Sequence, residues 1–399
     1  MNHLSLLLNR RSYSLLWFAH IISEVGNWLT FIAITVLAYQ ITESGLAVSG
    51  VFVAHTIPAL FLTPIAGVIV DRWNRRAILV VSDVVRGLLV LTLLLVRDLS
   101  YIYIVVGLTA VADLFFQPAR SALIPSLVEE QNLIAANALL SLGSDALSIV
   151  GPALAGAIVT QIGMPAAFIL DAISFWISAS MLATMSVPPS QSRTTLLNIK
   201  QEWTGAFSFI MHHRSILLLV LISALVMLGG GALNVLLIVF ANEHLGVGDN
   251  GFAWLVSALG IGFVVGSLLT GITGKYLPKR SLLSSSLLAL GLVPIAWSLS
   301  HSFLLALGIA VVNGIANSVF NIVVETFLQT HVLDDIRGKV FSLANQLMTI
   351  TSLVSMSLAG WLSDMIGVRT VFIIAGLCML PAFMLSFARF RDTSNRYSW

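Results

Sequence analysis

The sequence contains few charged residues. Asp, Glu, Lys and Arg make up only 10% of the 399 residues, whereas they make up about 25% of an ordinary soluble domain. Hydrophobic residues account for 58% of the chain. Since a water-exposed surface needs charged groups, this composition excludes a soluble globular protein and favours a membrane protein.

Several features that define other functional classes are also missing. The one cysteine, Cys378, cannot form a disulfide within the chain. No Gly-x-x-x-x-Gly-Lys-Ser/Thr loop is present to hold phosphate, which excludes an ATP-driven pump in a single chain. No clustered basic face suits nucleic acid. No metal-ligand cluster is found, and we predict neither a metal nor a cofactor. A membrane-embedded enzyme is disfavoured because its best candidate pair, His244 and Asp249, stands in a short loop without supporting residues.

Long hydrophobic runs dominate the chain instead. A hydrocarbon core about 30 Å thick is crossed by a helix of about 20 apolar residues. The sequence contains twelve such runs, at residues 13–40, 46–70, 77–96, 101–119, 136–161, 165–187, 216–241, 252–273, 282–300, 303–327, 339–362 and 370–388. We therefore predict an all-α integral membrane protein with twelve transmembrane helices.

A polar segment divides these runs into two sets of six. It covers residues 188–213, begins with Pro188 and Pro189, and includes a stretch at 196–211 that could form an amphipathic interfacial helix. The predicted domains are an N-terminal bundle at 1–187, a cytoplasmic linker at 188–213 and a C-terminal bundle at 214–399.

The two sets also resemble each other in sequence. At a constant offset of 204 residues, Gly67 aligns with Gly271, and the pair Ile162-Gly163 aligns with Ile366-Gly367. Transporters are often built from duplicated halves. The shared offset therefore predicts two six-helix pseudo-repeats.

The positions of Lys and Arg predict the orientation, because these residues accumulate in cytoplasmic loops. With the N-terminus inside, most of them, Arg120 included, fall on the cytoplasmic side, and only Arg97 and Arg369 lie outside. We expect a monomer in the inner (cytoplasmic) membrane of the cell, with both termini in the cytoplasm.

The segment that follows the second run carries a recognisable motif. It reads Gly67-Val-Ile-Val-Asp71-Arg72-Trp-Asn74-Arg75-Arg76. This spacing resembles the signature loop between helices 2 and 3 of the major facilitator superfamily, with Asn74 in place of a glycine. The resemblance implies that Asp71, Arg72, Arg75 and Arg76 belong to a cytoplasmic gating latch, for which Asp113 is a plausible acidic partner of Arg75.

The fifth run carries a second motif. Gly151-Pro152-Ala-Leu-Ala155-Gly156 resembles the antiporter motif of proton-coupled drug exporters, although a kinked packing helix would use the same residues. The string from Phe116 to Pro125 resembles the branch of drug:proton antiporters that holds macrolide efflux proteins and enterobactin exporters. Asn27 stands where that branch suggests an aspartate, so we assign it to substrate contacts.

Ionisable residues inside the hydrocarbon zone are costly and are functional candidates by default. Glu24, near the midplane of the first helix, is the first candidate for proton coupling, and Asp145 is the second. Burial disfavours the charged form of a carboxyl group, which lets it take up and release a proton as access alternates. Simple hydrogen bonding to a neighbouring helix remains an alternative for both. Asp83 and Arg86 share a helix face and should neutralise each other.

Other polar groups divide between cavity and core. On the tenth helix a polar stripe runs through Asn313, Asn317, Asn321 and Glu325, four residues apart. It predicts substrate contacts in a central cavity, with interhelical hydrogen bonds as the alternative. Asp171 is placed near the outer face of the sixth helix, and His20 and His55 are interpreted as core histidines.

These features together predict a secondary active transporter. It would export amphipathic small molecules, of drug, macrolide or siderophore type, in exchange for protons. Two alternatives within transporters are a lysophospholipid flippase and a proton-coupled nutrient importer.

Overall fold

The computed structural model describes residues 7, 10–95, 98–187, 207–274, 276–332 and 334–387. Within these residues the chain forms twelve long helices and no strand, which confirms the predicted all-α class. The helices are α1 (Arg11–Thr42), α2 (Gly45–Arg72), α3 (Arg75–Thr92), α4 (Leu99–Leu127), α5 (Leu133–Gln161), α6 (Met164–Ala183), α7 (Arg214–Val239), α8 (Gly248–Thr273), α9 (Lys279–Leu299), α10 (Phe303–His331), α11 (Asp334–Ile366) and α12 (Val368–Leu385). Each one contains most of one predicted run.

Ten of these helices are long and apolar enough to cross a membrane. The two that fall short are α3, which carries Arg75, Arg76, Asp83 and Arg86, and the more polar α11. The chain is therefore a multi-pass membrane protein. The predicted interfacial helix at 196–211 lies mostly outside the described residues.

One boundary differs clearly from its prediction. The fourth run was expected to end at residue 119, which would place Arg120 in a cytoplasmic loop. Instead α4 continues to Leu127 through Pro118 and Pro125. A proline removes one backbone hydrogen bond but does not have to end a membrane helix, since neighbouring groups can satisfy the freed carbonyl. Arg120 is consequently part of a helix.

The chain divides into two compact units. The first comprises Met1–Glu43 and Gly50–Thr195, and the second comprises Ser44–Ser49 and Leu196–Trp399. In the first unit α1 packs against α5 and α6, and α3 packs against α4 and α6. In the second unit α7 packs against α11 and α12, and α9 packs against α10 and α12. The two units thus share one internal packing scheme.

Local structure confirms the repeat at the same offset of 204 residues. Gly163 precedes α6 with φ 107°, and Gly367 precedes α12 with φ 80°, a backbone conformation that glycine adopts without steric cost. Arg76 and Arg280 are also 204 residues apart, and each donates to a carbonyl just beyond the end of the corresponding helix. Arg76 Nη1 donates to that of Met185 at 2.7 Å and Arg280 Nη2 to that of Phe387 at 2.6 Å, although these two carbonyls are 202 residues apart. Arginine commonly satisfies the last carbonyls of a helix in this way.

Small residues set the closest helix contact in the second unit. A Cβ atom added to Gly262 of α8 would lie 2.1 Å from the Val311 carbonyl oxygen of α10, and one added to Gly314 would lie 2.1 Å from the Leu259 carbonyl oxygen. The backbones of α8 and α10 therefore touch. Lipid tails are as apolar as leucine, so such van der Waals contact, rather than hydrophobic burial, drives helix association in a membrane.

Candidate functional site

The first unit encloses a cavity of about 470 Å³. Five helices, α1, α2, α3, α4 and α6, contribute its walls. The lining residues are Glu24, Asn27, Trp28, Thr30, Phe31, Ile34, Val51, Phe52, His55, Arg86, Val90, Val106, Thr109, Ala110, Asp113, Gln117, Asp171 and Phe175. The cavity is mostly apolar, with a small number of ionisable groups, as is typical of sites that bind small molecules.

Aromatic rings form one wall of this cavity. Trp28 and Phe31 on α1 meet edge to face with their ring centroids 5.7 Å apart, and Phe31 meets Phe52 on α2 at 5.7 Å in the same geometry. Such edge-to-face pairs are favourable because the positive edge of one ring faces the negative face of the other. The three rings present apolar surface to the cavity.

Gly151, in the motif predicted on α5, packs against this aromatic wall. A Cβ atom on Gly151 of α5 would lie 2.5 Å from Cδ1 of Trp28. Gly151, Pro152 and Gly156 are all buried, and α5 continues without a break through Pro152. The small residue at 151 therefore allows the indole ring to lie against α5 while it also lines the cavity.

Two sequence-predicted residues meet in the cavity. Glu24 and Asn27 both line it, one helical turn apart on α1, and Asn27 Nδ2 donates to Glu24 Oε2 at 3.1 Å. The second proton-coupling candidate lies elsewhere, because Asp145 is an exposed residue of α5 and is not among the lining residues.

A buried ion network stands beside these groups. Arg86 Nη2 bonds to Asp83 Oδ1, which confirms the predicted neutralisation, and Arg86 Nη1 bonds to Asp113 Oδ1 at 2.9 Å. The Ser178 hydroxyl donates to the other oxygen of Asp83 at 2.5 Å. The side chain of Asp83 is 0% exposed, whereas that of Asp113 is 37% exposed. Only Asp113 of the two acids faces the cavity.

Aromatic rings cover the same arginine. The Arg86 guanidinium carbon lies 4.7 Å from the ring centroid of Phe116 and 4.4 Å from that of Phe175. Cation–π contacts of this kind strengthen when water is excluded. Arg86 is thereby held in place by two carboxylates and two aromatic rings.

The expected pair between Arg75 and Asp113 is wrong for this structure. Asp113 is bonded to Arg86, and Arg75 Nη1 donates to the Ala122 carbonyl at 2.9 Å. The reason is geometric, because Arg86 reaches Asp113 from inside the bundle whereas Arg75 stands at the start of α3. Arg72 is exposed, and the Asp71 side chain lies outside the described residues.

The histidines behave differently from each other. His20 is a buried residue, as predicted, and both of its ring nitrogens lie within 2.8 Å of Arg120 Nη1, while Nε2 lies 3.0 Å from Ser144 Oγ. His55, in contrast, is exposed and lines the cavity, so its interpretation as a core histidine is wrong. The sequence could not separate them because each stands in a similarly apolar helix.

Sequence reasoning left one cavity residue without a role. Asp171 was placed only by its depth, nearer the outer membrane face in the sixth helix; it is 1% exposed and lines the cavity, where the Thr30 hydroxyl donates to it. The signal that could have found it is the single acid within the apolar stretch of α6, opposite the glycine at position 26 of α1.

The polar stripe of α10 lies in the second unit. Asn313 is buried, and Asn317 Nδ2 donates to Asn313 Oδ1 at 3.1 Å, whereas Asn321 and Glu325 are exposed. A four-residue step exceeds one helical turn by about 40°, so the stripe turns around the helix along its length. Its N-terminal part, at Asn313 and Asn317, makes hydrogen bonds within α10, and its C-terminal part is exposed.

Within the described part of the chain, no group of three or more His, Cys, Asp or Glu residues is arranged to hold a metal ion.

Comparison with known proteins extends these observations. Residues 6–396 match the family model described as "transmembrane secretion effector". The chain is 27% identical over 394 residues to the MFS-type transporter YfiS of Bacillus subtilis, covering 93% of this chain and 91% of that protein. It is 22% identical over 378 residues to macrolide efflux protein A of Streptococcus pyogenes, covering 92% of each chain.

Solved structures show the same fold. The nucleoside transporter NupG, in a single-residue variant, superposes with a TM-score of 0.81 at 13% identity, covering 94% of this chain and 100% of that chain. At such low identity the likeness concerns the fold alone, which is that of the major facilitator transporters. With the family match over nearly the whole length, the chain belongs to the transmembrane secretion effector family of major facilitator transporters and is a membrane transporter, not an enzyme.

Proposed function

We propose that the protein exports amphipathic small molecules across the cytoplasmic membrane in exchange for protons, by alternating access. The observation that carries this proposal is the cavity of the first unit, where an aromatic wall faces a carboxyl group, Glu24, inside a membrane-spanning bundle. The similarity of the chain to macrolide efflux protein A supports transport out of the cell. The distribution of Lys and Arg supports a chain with both termini in the cytoplasm, and we propose that it acts as a monomer.

The cavity suits a ligand with an apolar body and a polar or cationic group. Its volume of about 470 Å³ lies within the range of small-molecule sites. Trp28, Phe31 and Phe52 offer ring surfaces for an apolar skeleton, and Glu24 with Asn27 offers a polar end. A ligand bound in this way would contact the protein through both parts.

Glu24 is the proposed coupling group. Its charge is met by an amide donor and not by an ion pair among the described residues. An amide can bond to either protonation state of a carboxyl group, so Asn27 does not lock Glu24 into one of them. Asp113 differs because it is paired with Arg86. Asp145 remains the second candidate.

Other predicted groups have supporting roles in this proposal. The loop from Asp71 to Arg76 would act as the cytoplasmic latch, with Arg75 and Arg76 fixed at its end by the carbonyls they bind. At the exposed end of the α10 stripe, Asn321 and Glu325 remain candidates for substrate contacts in the second unit itself.

Transport in reconstituted vesicles tests this function. An inside-out vesicle with an acidic lumen should accumulate a fluorescent amphipathic dye, and Glu24→Gln should abolish the dependence on the pH gradient while dye binding persists. Asn27→Ala serves as the matched control because it alters the same cavity without removing the carboxyl group. It should weaken dye binding but keep the dependence of transport on the pH gradient.

Two outcomes would contradict the proposal. Gradient-driven transport that is unchanged in Glu24→Gln would remove Glu24 from the mechanism, and the same experiment on Asp145→Asn would then test the second candidate. Uptake of a nutrient together with protons, or movement of a lysophospholipid between leaflets without any gradient, would replace export by one of the two other transport functions.

A further inference from the structure

We propose that Asp171 is a second proton-binding group of the transporter, because it is buried at the cavity wall without a cation beside it. This inference rests on the proposed proton-coupled function but assigns a residue that the function as stated does not use. It is carried by the geometry around the Asp171 carboxyl group.

The immediate partners of Asp171 are neutral. Thr30 of α1 donates its hydroxyl proton to Asp171 Oδ2. The other oxygen, Oδ1, lies 3.4 Å from the hydroxyl of Ser174, one turn further along α6. Among the described residues no Lys, Arg or His nitrogen lies within ion-pair distance of this carboxyl group. A buried carboxylate without a cation is strongly disfavoured.

The hydroxyl of Ser174 gives the second carboxyl oxygen only weak support. A serine hydroxyl has one proton to donate, and Ser174 is placed to donate it to the backbone carbonyl of Asp171 at 2.8 Å. Its contact with Oδ1 is longer, at 3.4 Å. A proton on Oδ1 would therefore displace no strong donor, and Oδ2 would remain a carbonyl oxygen that accepts from Thr30.

The backbone of α1 is shaped to admit this arrangement. A Cβ atom on Gly26 would lie 2.1 Å from both Asp171 Oδ1 and Ser174 Oγ. Any larger residue at position 26 would occupy the space in which the two oxygens meet. The glycine thus leaves room for the carboxyl group between α1 and α6, next to the cavity that Thr30 also lines.

Asp83 provides an internal comparison. It is as deeply buried as Asp171, but it bonds to Arg86 as well as to Ser178. The charge on Asp83 is therefore compensated, and no proton is required there. The two acids are equally buried, but only Asp83 has a cation beside it. This difference assigns the proton to Asp171.

The other charged groups around the cavity do not supply that cation. From α3, Arg86 is already bound by Asp83 and by Asp113 of α4. From α1, Glu24 adds a further acid to the same cavity. The cavity therefore holds more carboxyl groups than its one arginine can balance, which favours a proton on the most buried unpaired member. Water entering the cavity during the transport cycle would solvate the charged form and release that proton.

Infrared spectroscopy tests the assignment without measuring transport. A protonated carboxylic acid has a carbonyl stretching band distinct from that of a carboxylate. We expect purified wild-type protein at neutral pH to show such a band, and Asp171→Asn to lose it. Thr30→Val should keep the band and move it to higher frequency, because the carbonyl oxygen loses its hydrogen-bond donor; this variant retains the acid if Asp171→Asn does not fold.

The results separate this inference from the proposed function. Glu24→Gln should leave the Asp171 band in place, whatever its effect on dye export. A band with the same intensity in Asp171→Asn as in wild type, or with the same frequency in Thr30→Val, would overturn the assignment even if Glu24 proves to couple export to protons. If the band behaves as expected, proton flux measured per dye molecule should be lower in Asp171→Asn than in wild type.

Discussion

The ion network around Arg86 allows a quantitative prediction about stability. Asp83 and Asp113 both bind this arginine, but the side chain of Asp83 is 0% exposed and that of Asp113 is 37% exposed. Removing one partner of a buried ion pair costs about 3–5 kcal/mol when the other charge is left without compensation. Arg86 keeps Asp113 as a partner in Asp83→Asn, so we expect a loss of about 3 kcal/mol, the lower end of this range. An exposed pair contributes about 0.2–1 kcal/mol. Asp83→Asn should therefore destabilise the protein several times more than Asp113→Asn.

Thermal unfolding in detergent measures this difference. Each kcal/mol corresponds to a shift of about 2–4 °C for a unit of 150–250 residues, so Asp83→Asn should lower the midpoint by about 6–12 °C. Asp113→Asn should lower it by about 4 °C or less.

A double variant provides the control. Asp83→Leu combined with Arg86→Met replaces the buried pair by apolar side chains, and such replacements are often neutral for stability. The double variant should therefore be more stable than Asp83→Asn alone. If Asp113→Asn lowers the midpoint as much as Asp83→Asn does, burial does not set the strength of the two bonds, and the reasoning is refuted.

Two further predictions concern glycine positions. Gly151→Ala should weaken dye binding, measured by fluorescence titration, several-fold, because the new Cβ would lie 2.5 Å from Trp28 Cδ1 and push the indole into the cavity. Adding Trp28→Phe to the same chain should restore binding. An unchanged affinity in Gly151→Ala would contradict the role of this contact. Gly262→Ala should lower the midpoint of thermal unfolding, because its Cβ would lie 2.1 Å from the Val311 carbonyl oxygen. Gly308→Ala is the control and should leave the midpoint unchanged, because no packing neighbour lies within 4 Å of its Cβ. Equal midpoints in the two variants would show that α8 and α10 do not need their close contact.

Much of the fold could be predicted from periodicity and composition. Each of the twelve runs corresponds to one long helix, because about 20 apolar residues can cross the membrane only as a helix with all its backbone groups bonded internally. The repeat was equally visible, since glycines such as Gly163 and Gly367 occupy backbone positions that other residues adopt with strain. Helix ends were harder, as α4 shows by continuing through Pro118 and Pro125.

The candidate site was only partly predictable. Glu24 and Asn27 share a helix face one turn apart, so local spacing alone places them together. The partner of Asp113 could not be predicted in this way, because Arg86 and Arg75 both stand on the next helix in the chain, and only the packing of α3 against α4 decides which one reaches it.

The sequence by itself determined that this chain crosses the membrane many times, that it consists of two related halves, and that acids stand within its membrane helices. These properties follow from local composition and spacing, which do not depend on how helices pack. Tertiary structure decided how the other acids are compensated. Asp83 has Arg86 three residues away on the same helix, so that partner was predictable. Asp113 and Asp171 look alike as single carboxyl groups in apolar helices, but the first receives Arg86 from α3 and the second receives the Thr30 hydroxyl from α1. The free energy of a buried carboxyl group depends on such partners, and these two come from other helices.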